Sequence, residues 1–117
     1  MSGKQSYLAG MAAESCVGRE YERRGLQVLE TRWRGQGGEI DLIARDRDEI
    51  VFVEVKKSKD FAGAAAKIST QQIERIFMAA SEFVERLPMG QLTPMRFDAA
   101  LVDGMGRVDI REGALGA

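Results

Sequence analysis

Histidine is absent from this chain of 117 residues, and cysteine occurs once, as Cys16. The first absence excludes Ser-His-Asp and Cys-His catalysis and every metal or nuclease centre that depends on imidazole. The second excludes an internal disulfide and a thiolate metal cluster. With nothing electropositive beside it in the sequence, Cys16 is expected as a small buried hydrophobe. Long apolar runs are also missing: none approaches the ~20 residues that span a bilayer, and Met1 to Gly10 lacks the apolar stretch of a secretory signal. No membrane partner is therefore expected, and the expected location is the cytoplasm. Nor does one charge dominate, with 17 basic against 18 acidic residues and a net charge of -1. A nucleic-acid binder with that balance must gather its Lys and Arg locally. What remains for chemistry is carboxylate, Lys, Arg, amide, hydroxyl and backbone, a set that suits Mg²⁺ or Mn²⁺.

What is present describes an ordinary folded chain, 44% hydrophobic and 30% charged, of a length that makes one domain around one core. We expect a single domain over residues 1–117, with loose ends at 1–6 and 112–117. The positions Tyr7, Leu8, Met11, Ala12 and Cys16 suggest an amphipathic helix that runs to Arg24 and is ended by Gly25. Leu26 to Leu29 read as a short strand leading into Arg32, Trp33 and Arg34 and the glycines Gly35, Gly37 and Gly38. Those glycines lack nucleotide-loop spacing and read as a mobile loop. Two strands, Glu39 to Arg45 and Ile50 to Lys56, flank a polar turn Asp46 to Glu49. A loop from Lys57 to Lys67 precedes the strongest helix, with Ile73, Ile76, Phe77, Ala80, Phe83, Val84 and Leu87 on one face. Ser69 and Gln72 have capping-box spacing at its start, and Pro88 and Gly90 end it. Met95 to Val102 and Arg107 to Arg111 complete the pattern as two strands. The order predicts an α+β fold of three-layer type, a mixed five-stranded sheet flanked by helices.

The central hairpin carries the chemistry. A symmetrical turn at Asp46 to Glu49 sets Asp41 opposite Glu54 and Glu39 opposite Lys56, with facing Cβ atoms ~4.5–5.5 Å apart. Ile40, Leu42, Val51, Val53 and Val55 are expected to bury the other face and so hold the register. Two facing carboxylates repel unless a cation or proton joins them, so Asp41 and Glu54 are candidate metal ligands with Lys56 beside them. The bland alternative is a solvated sheet face neutralised by Lys56. Glu39 is expected either to pair with Lys56 or to lie at the mouth of the site.

The stretch Gly38-Glu39-Ile40-Asp41-Leu42-Ile43-Ala44, then Val51-Phe52-Val53-Glu54-Val55-Lys56, resembles the YraN-like family of predicted endonucleases, similar to archaeal Holliday-junction resolvases. Gly10 with Glu14, Gly25, and Arg96-Phe97-Asp98 extend the resemblance over about residues 8 to 111. It implies a restriction-endonuclease-like fold in which Asp41, Glu54 and the Val55 carbonyl hold Mg²⁺ or Mn²⁺. Lys56 would serve the reacting water or phosphate, and Glu14 would be an added or second-metal ligand. The chain departs from the family in Lys57-Ser58 after Glu-Val-Lys, and in Gln71 and Gln72 where a Lys is common. Arg32, Trp33, Arg34, Lys57 and Gln72 are candidate nucleic-acid contacts, although Trp33 is equally suited to capping the core. The implied partner is DNA, branched DNA included, and resolvases suggest a homodimer. The rival readings are a nucleic-acid-binding module that does not cut and a protein-interaction domain.

Overall fold

A computed structural model describes the backbone of residues 3–116 and the side chains of 12–116. Helix α1 (Gly3–Arg23) begins the chain. Tyr7, Leu8, Gly10 and Met11, part of its expected pattern, have side chains outside the described residues. Beyond them the buried stripe is Ala13, Val17 and Tyr21, spaced by four, whereas Ala12 is exposed and Cys16 half-buried. The expected stripe is thus one residue off, because Tyr21 with its polar tip is one of the anchors. The helix stops where Gly25 takes a φ of 93°, with Gly25 N–H donating to Glu22 O and Leu26 N–H to Tyr21 O. This is the Schellman closure that glycine allows without strain.

The sheet has the order β1-β2-β3-β4-β5, from β1 (Gln27–Arg34), β2 (Glu39–Asp46), β3 (Glu49–Lys57), β4 (Met95–Val102) and β5 (Val108–Arg111). Only β3 and β4 run parallel, joined by a crossover through α2 (Phe61–Ala66) and α3 (Thr70–Val84). Leu42, Ala44, Val51, Val53, Ala100 and Val102 pack with the α1 stripe. Ile40, Ile43, Phe52, Phe97 and Leu101 pack with Ile76, Ala80 and Val84 of α3. Helices on both faces therefore make the expected three layers around a mixed five-stranded sheet.

Several boundaries differ from the expectation. β1 is a full eight-residue strand containing Arg32 to Arg34, with its register shifted between Val28 and Glu30; that bulge breaks the alternation by which a strand is read. The β2–β3 turn is Arg47 and Asp48 alone, since Asp46 pairs with Glu49. The register is unchanged because the shorter turn keeps the same centre. Part of the expected 57–67 loop is α2, capped by Asp60, whose side chain accepts from Gly63 N–H at 2.7 Å. Its sequence Phe-Ala-Gly-Ala-Ala-Ala has no polar face to set a period, yet alanine is the best helix former. The capping box of α3 forms as expected, but the helix ends at Val84 rather than at Leu87. Within the 112–117 segment, Leu115 is buried and its N–H donates to Phe97 O.

A buried polar tie joins α1 to β4. Tyr21 donates its hydroxyl to Asp98 at 2.8 Å, while Arg96 and the Gly113 N–H also donate to Asp98. Arg96 reaches on to Glu49 at 3.0 Å, so Arg96 and Asp98 fasten the helix, β4, the hairpin turn and the chain end together.

Candidate functional site

β2 rotates at Asp41. Residues i and i+2 of a regular strand share a face, yet Ile40 lies in the cluster under α3 and Leu42 in the cluster under α1. The expected common face for Ile40 and Leu42 is thereby corrected. Edge strand β1 follows the rotation, because Arg32 has a φ of 50° between Thr31, paired with Leu42, and Trp33, paired with Ile40. The β2–β3 ladder ends at Leu42 and Val53, so Asp41 and Glu54 are not a main-chain pair. Instead the Asp41 carboxylate accepts the Val55 N–H at 2.8 Å, in the place where a strand carbonyl would sit.

The result is a pocket of about 290 Å³ at the start of β2, the end of β3 and the first turns of α3, lined by Glu39, Asp41, Glu54, Lys56, Gln72, Arg75 and Ile76. Glu54 is buried on the face of β3 shared with Phe52, and only 8% of it is exposed. Lys56, next along that face, meets it at 3.1 Å. Burial first, then the neighbouring Asp41 charge, push Glu54 up to about 7. Burial, with Glu39 adding, also raises Asp41, against the opposing pull of the Val55 N–H and Lys56. The two carboxyls line the same pocket, and each disfavours the charge of the other. Such a pair is relieved by a proton or by a divalent cation.

The other expected site residues are distributed as follows. Glu14 approaches from α1 and is held by Arg32 at 3.0 Å. Burial raises its carboxyl, and Asp41 adds to this while Arg32 opposes it. Among the described residues no three carboxylate or thiol side chains are placed to hold an ion together. Val55 contributes its N–H to Asp41. Glu39 pairs with Arg34 at 3.1 Å rather than with Lys56. Trp33 sits edge-on against Phe83 with the Arg86 guanidinium over its ring, which is the core-capping role. Lys57 follows Val55 on the α1 side of β3, away from the pocket. Cys16 is not fully buried, and Arg19 on the next turn donates to its sulfur at 3.6 Å.

Gln72 lines the pocket; its side-chain oxygen accepts the Ser69 N–H at 3.2 Å, which leaves a neutral amide N–H as the only donor it can offer a phosphate. The cation on this helix is Arg75, which sequence reasoning missed. It stands three residues after Gln72, hence on the same face, and its stem packs where Gly38 leaves room. Among the described residues Arg75 has no carboxylate partner. The glycine loop beside the site, expected to be mobile, is pinned: Gln36 and Gly37 N–H groups donate to Glu82 of α3 at 2.8 and 3.3 Å.

The donor set fits a hard divalent cation. Two carboxylates meet in a buried, solvent-open pocket, each retains an oxygen beyond those bound to Lys56 and Val55, and the pair is unstable with both charges bare. No helix among the described residues is long and apolar enough to cross a membrane.

Comparison with other sequences places the chain among close relatives. It is 59% identical to a UPF0102 protein of Ruegeria pomeroyi over 97% of this chain and 93% of the relative. A UPF0102 protein of Cereibacter sphaeroides matches at 59% over the whole of both chains, and one of Roseobacter denitrificans at 54% over 97% and 88%. The model of the uncharacterised protein family UPF0102 matches residues 13–102, a span that holds every residue of the pocket. The chain belongs to the UPF0102 family.

Proposed function

We propose that this protein is a metal-dependent endonuclease-like enzyme acting on DNA phosphodiester bonds, branched DNA among them, with a fold of the restriction-endonuclease type. One observation carries the reading: Asp41 and Glu54 line a single pocket that also presents Lys56 and Arg75. Mg²⁺ or Mn²⁺ held by Asp41, Glu54 and the Val55 carbonyl would supply an acidified water and offset charge on the phosphate. Lys56 lies on the strand face of Glu54, where its ammonium can orient that water or stabilise the oxyanion that develops. Arg75, across the pocket on α3, offers a bidentate, charged contact to a neighbouring phosphate, which the neutral Gln72 amide cannot supply. Glu14, whose carboxyl feels the Asp41 charge from α1, would be an added or second-metal ligand. A homodimer would place two such pockets on the two strands of a junction.

A second reading, DNA binding without cleavage, is favoured by the neutral Gln72 at the start of α3. Incubation of a four-way DNA junction and a linear duplex with the protein and Mg²⁺ or Mn²⁺ separates the two. Metal-dependent cuts lost in Glu54→Gln and Lys56→Met support the enzyme. Binding without cuts at any metal concentration leaves the binding module, and neither binding nor cuts sinks both.

A further inference from the structure

A groove of about 640 Å³ is on the other side of the sheet from the carboxylate pocket. Arg19 and Arg23 of α1 line one wall, Arg107 and Val108 the other, and Phe61 of α2 closes the far end. Three guanidiniums face a single lining carboxylate, Glu20. Arg19 has no carboxylate partner among the described residues. Arg23 pairs with Glu20 and Arg107 with Asp103; the arginine side chains are 77% and 74% exposed, while Glu20 and Asp103 are 15% and 4% exposed. Each guanidinium therefore keeps N–H donors on its solvent side that a phosphate can take.

The topology links this groove to the pocket. β3 and β4 are parallel, with Lys57 paired to Val102, so the strand that carries Glu54 and Lys56 ends where the β4–β5 turn begins. Ser58 N–H donates to Val102 O at 3.0 Å, and Gly104 N–H donates to Lys59 O at 3.3 Å. The edge between the two sites therefore carries Lys57 and Lys59. Phe61 packs with the α3-side core while Arg19 and Arg23 are on α1, so the groove wraps the end of the sheet from one face toward the other. A polyanion leaving the pocket over this edge meets cations at each step.

We propose that the groove is a second phosphate-backbone contact for the nucleic acid that enters the carboxylate pocket, so that the substrate is a strand long enough to cross the end of the sheet. This rests on the reading of the pocket as a DNA site. It is tested by binding a short oligonucleotide and a long duplex across a salt series, using wild type, Arg19→Gln/Arg107→Gln and Arg19→Gln/Arg23→Gln. The second variant leaves the Asp103 contacts of Arg107 intact. Both variants should bind the long duplex roughly tenfold more weakly, with a salt slope shallower by about 2, while the short oligonucleotide and Mn²⁺ bind as in wild type. Equal affinity of variants and wild type for the long duplex overturns the groove alone. Parallel losses on both DNA lengths also overturn it, since the groove would then have no separate reach. Wild type that binds no DNA of either length overturns the pocket reading and the groove with it.

Discussion

Glu54 shows how a single residue couples stability to chemistry. Its carboxyl titrates at about 7 in the folded chain against an ordinary value near ~4.3 when unfolded. Between those limits the folded state holds more protons than the unfolded one, so stability falls as pH rises through the window. The destabilisation is complete above about 7 and vanishes at the acid end. Without metal, Glu54→Gln should raise stability by about 1–2 kcal/mol at pH 8, converging with wild type near pH 5; thermal melts across pH would show it. A variant less stable at pH 8 would make the pair a structural ion bridge instead. Arg75→Gln should weaken DNA binding and lower its salt slope by about 1, measured by fluorescence anisotropy; an unchanged slope would remove Arg75 from the site. Glu54 and Lys56 share the face of β3 that alternation along the strand predicts, whereas Asp41 lines the pocket where β2 rotates, which alternation does not give. Arg75 was not legible in the sequence, because its place depends on how α3 crosses the sheet, and the Arg32 grip on Glu14 was hidden by the rotation at Asp41.

Among the elements, glycines report how tightly the site is framed. A Cβ on Gly35 would lie 2.5 Å from Glu82 Oε1 and 2.7 Å from Trp33 Cη2, so the loop packs against the residue that pins it. Gly35→Ala should cost about 1–3 kcal/mol in urea unfolding. Gly18 is the opposite case: within α1 an added Cβ meets only Leu42 Cδ1, at 3.6 Å. Gly18→Ala should stabilise by about 0.5–1 kcal/mol, and the two signs together check the packing on both faces. The long, strongly periodic strands β2, β3 and β4 were readable to within a residue at each end, and α3 at its start, although it ends three residues before the expected Leu87. α2 and the full length of β1 were not, since one has no polar face and the other is broken by a bulge and a left-handed Arg32.

For the whole molecule, the three layers and the five strands follow from the order of elements. The strand order itself depends on the parallel pairing of β3 with β4 across α2 and α3. That pairing places the carboxylates, Lys56 and the β4–β5 turn at one end of the sheet, which is why a chain of net charge -1 can still present basic surface there. On the proposed function, the Asp41–Glu54 pair takes up a cation and gives up the proton that burial favours on Glu54. Calorimetric titration with Mn²⁺ at pH 6.5, repeated in buffers of different ionisation heat, measures the ion and the proton at once. One Mn²⁺ per chain with about one proton released, both lost in Asp41→Asn and Glu54→Gln, is the predicted result; no binding to wild type, or binding that both variants retain, would contradict it.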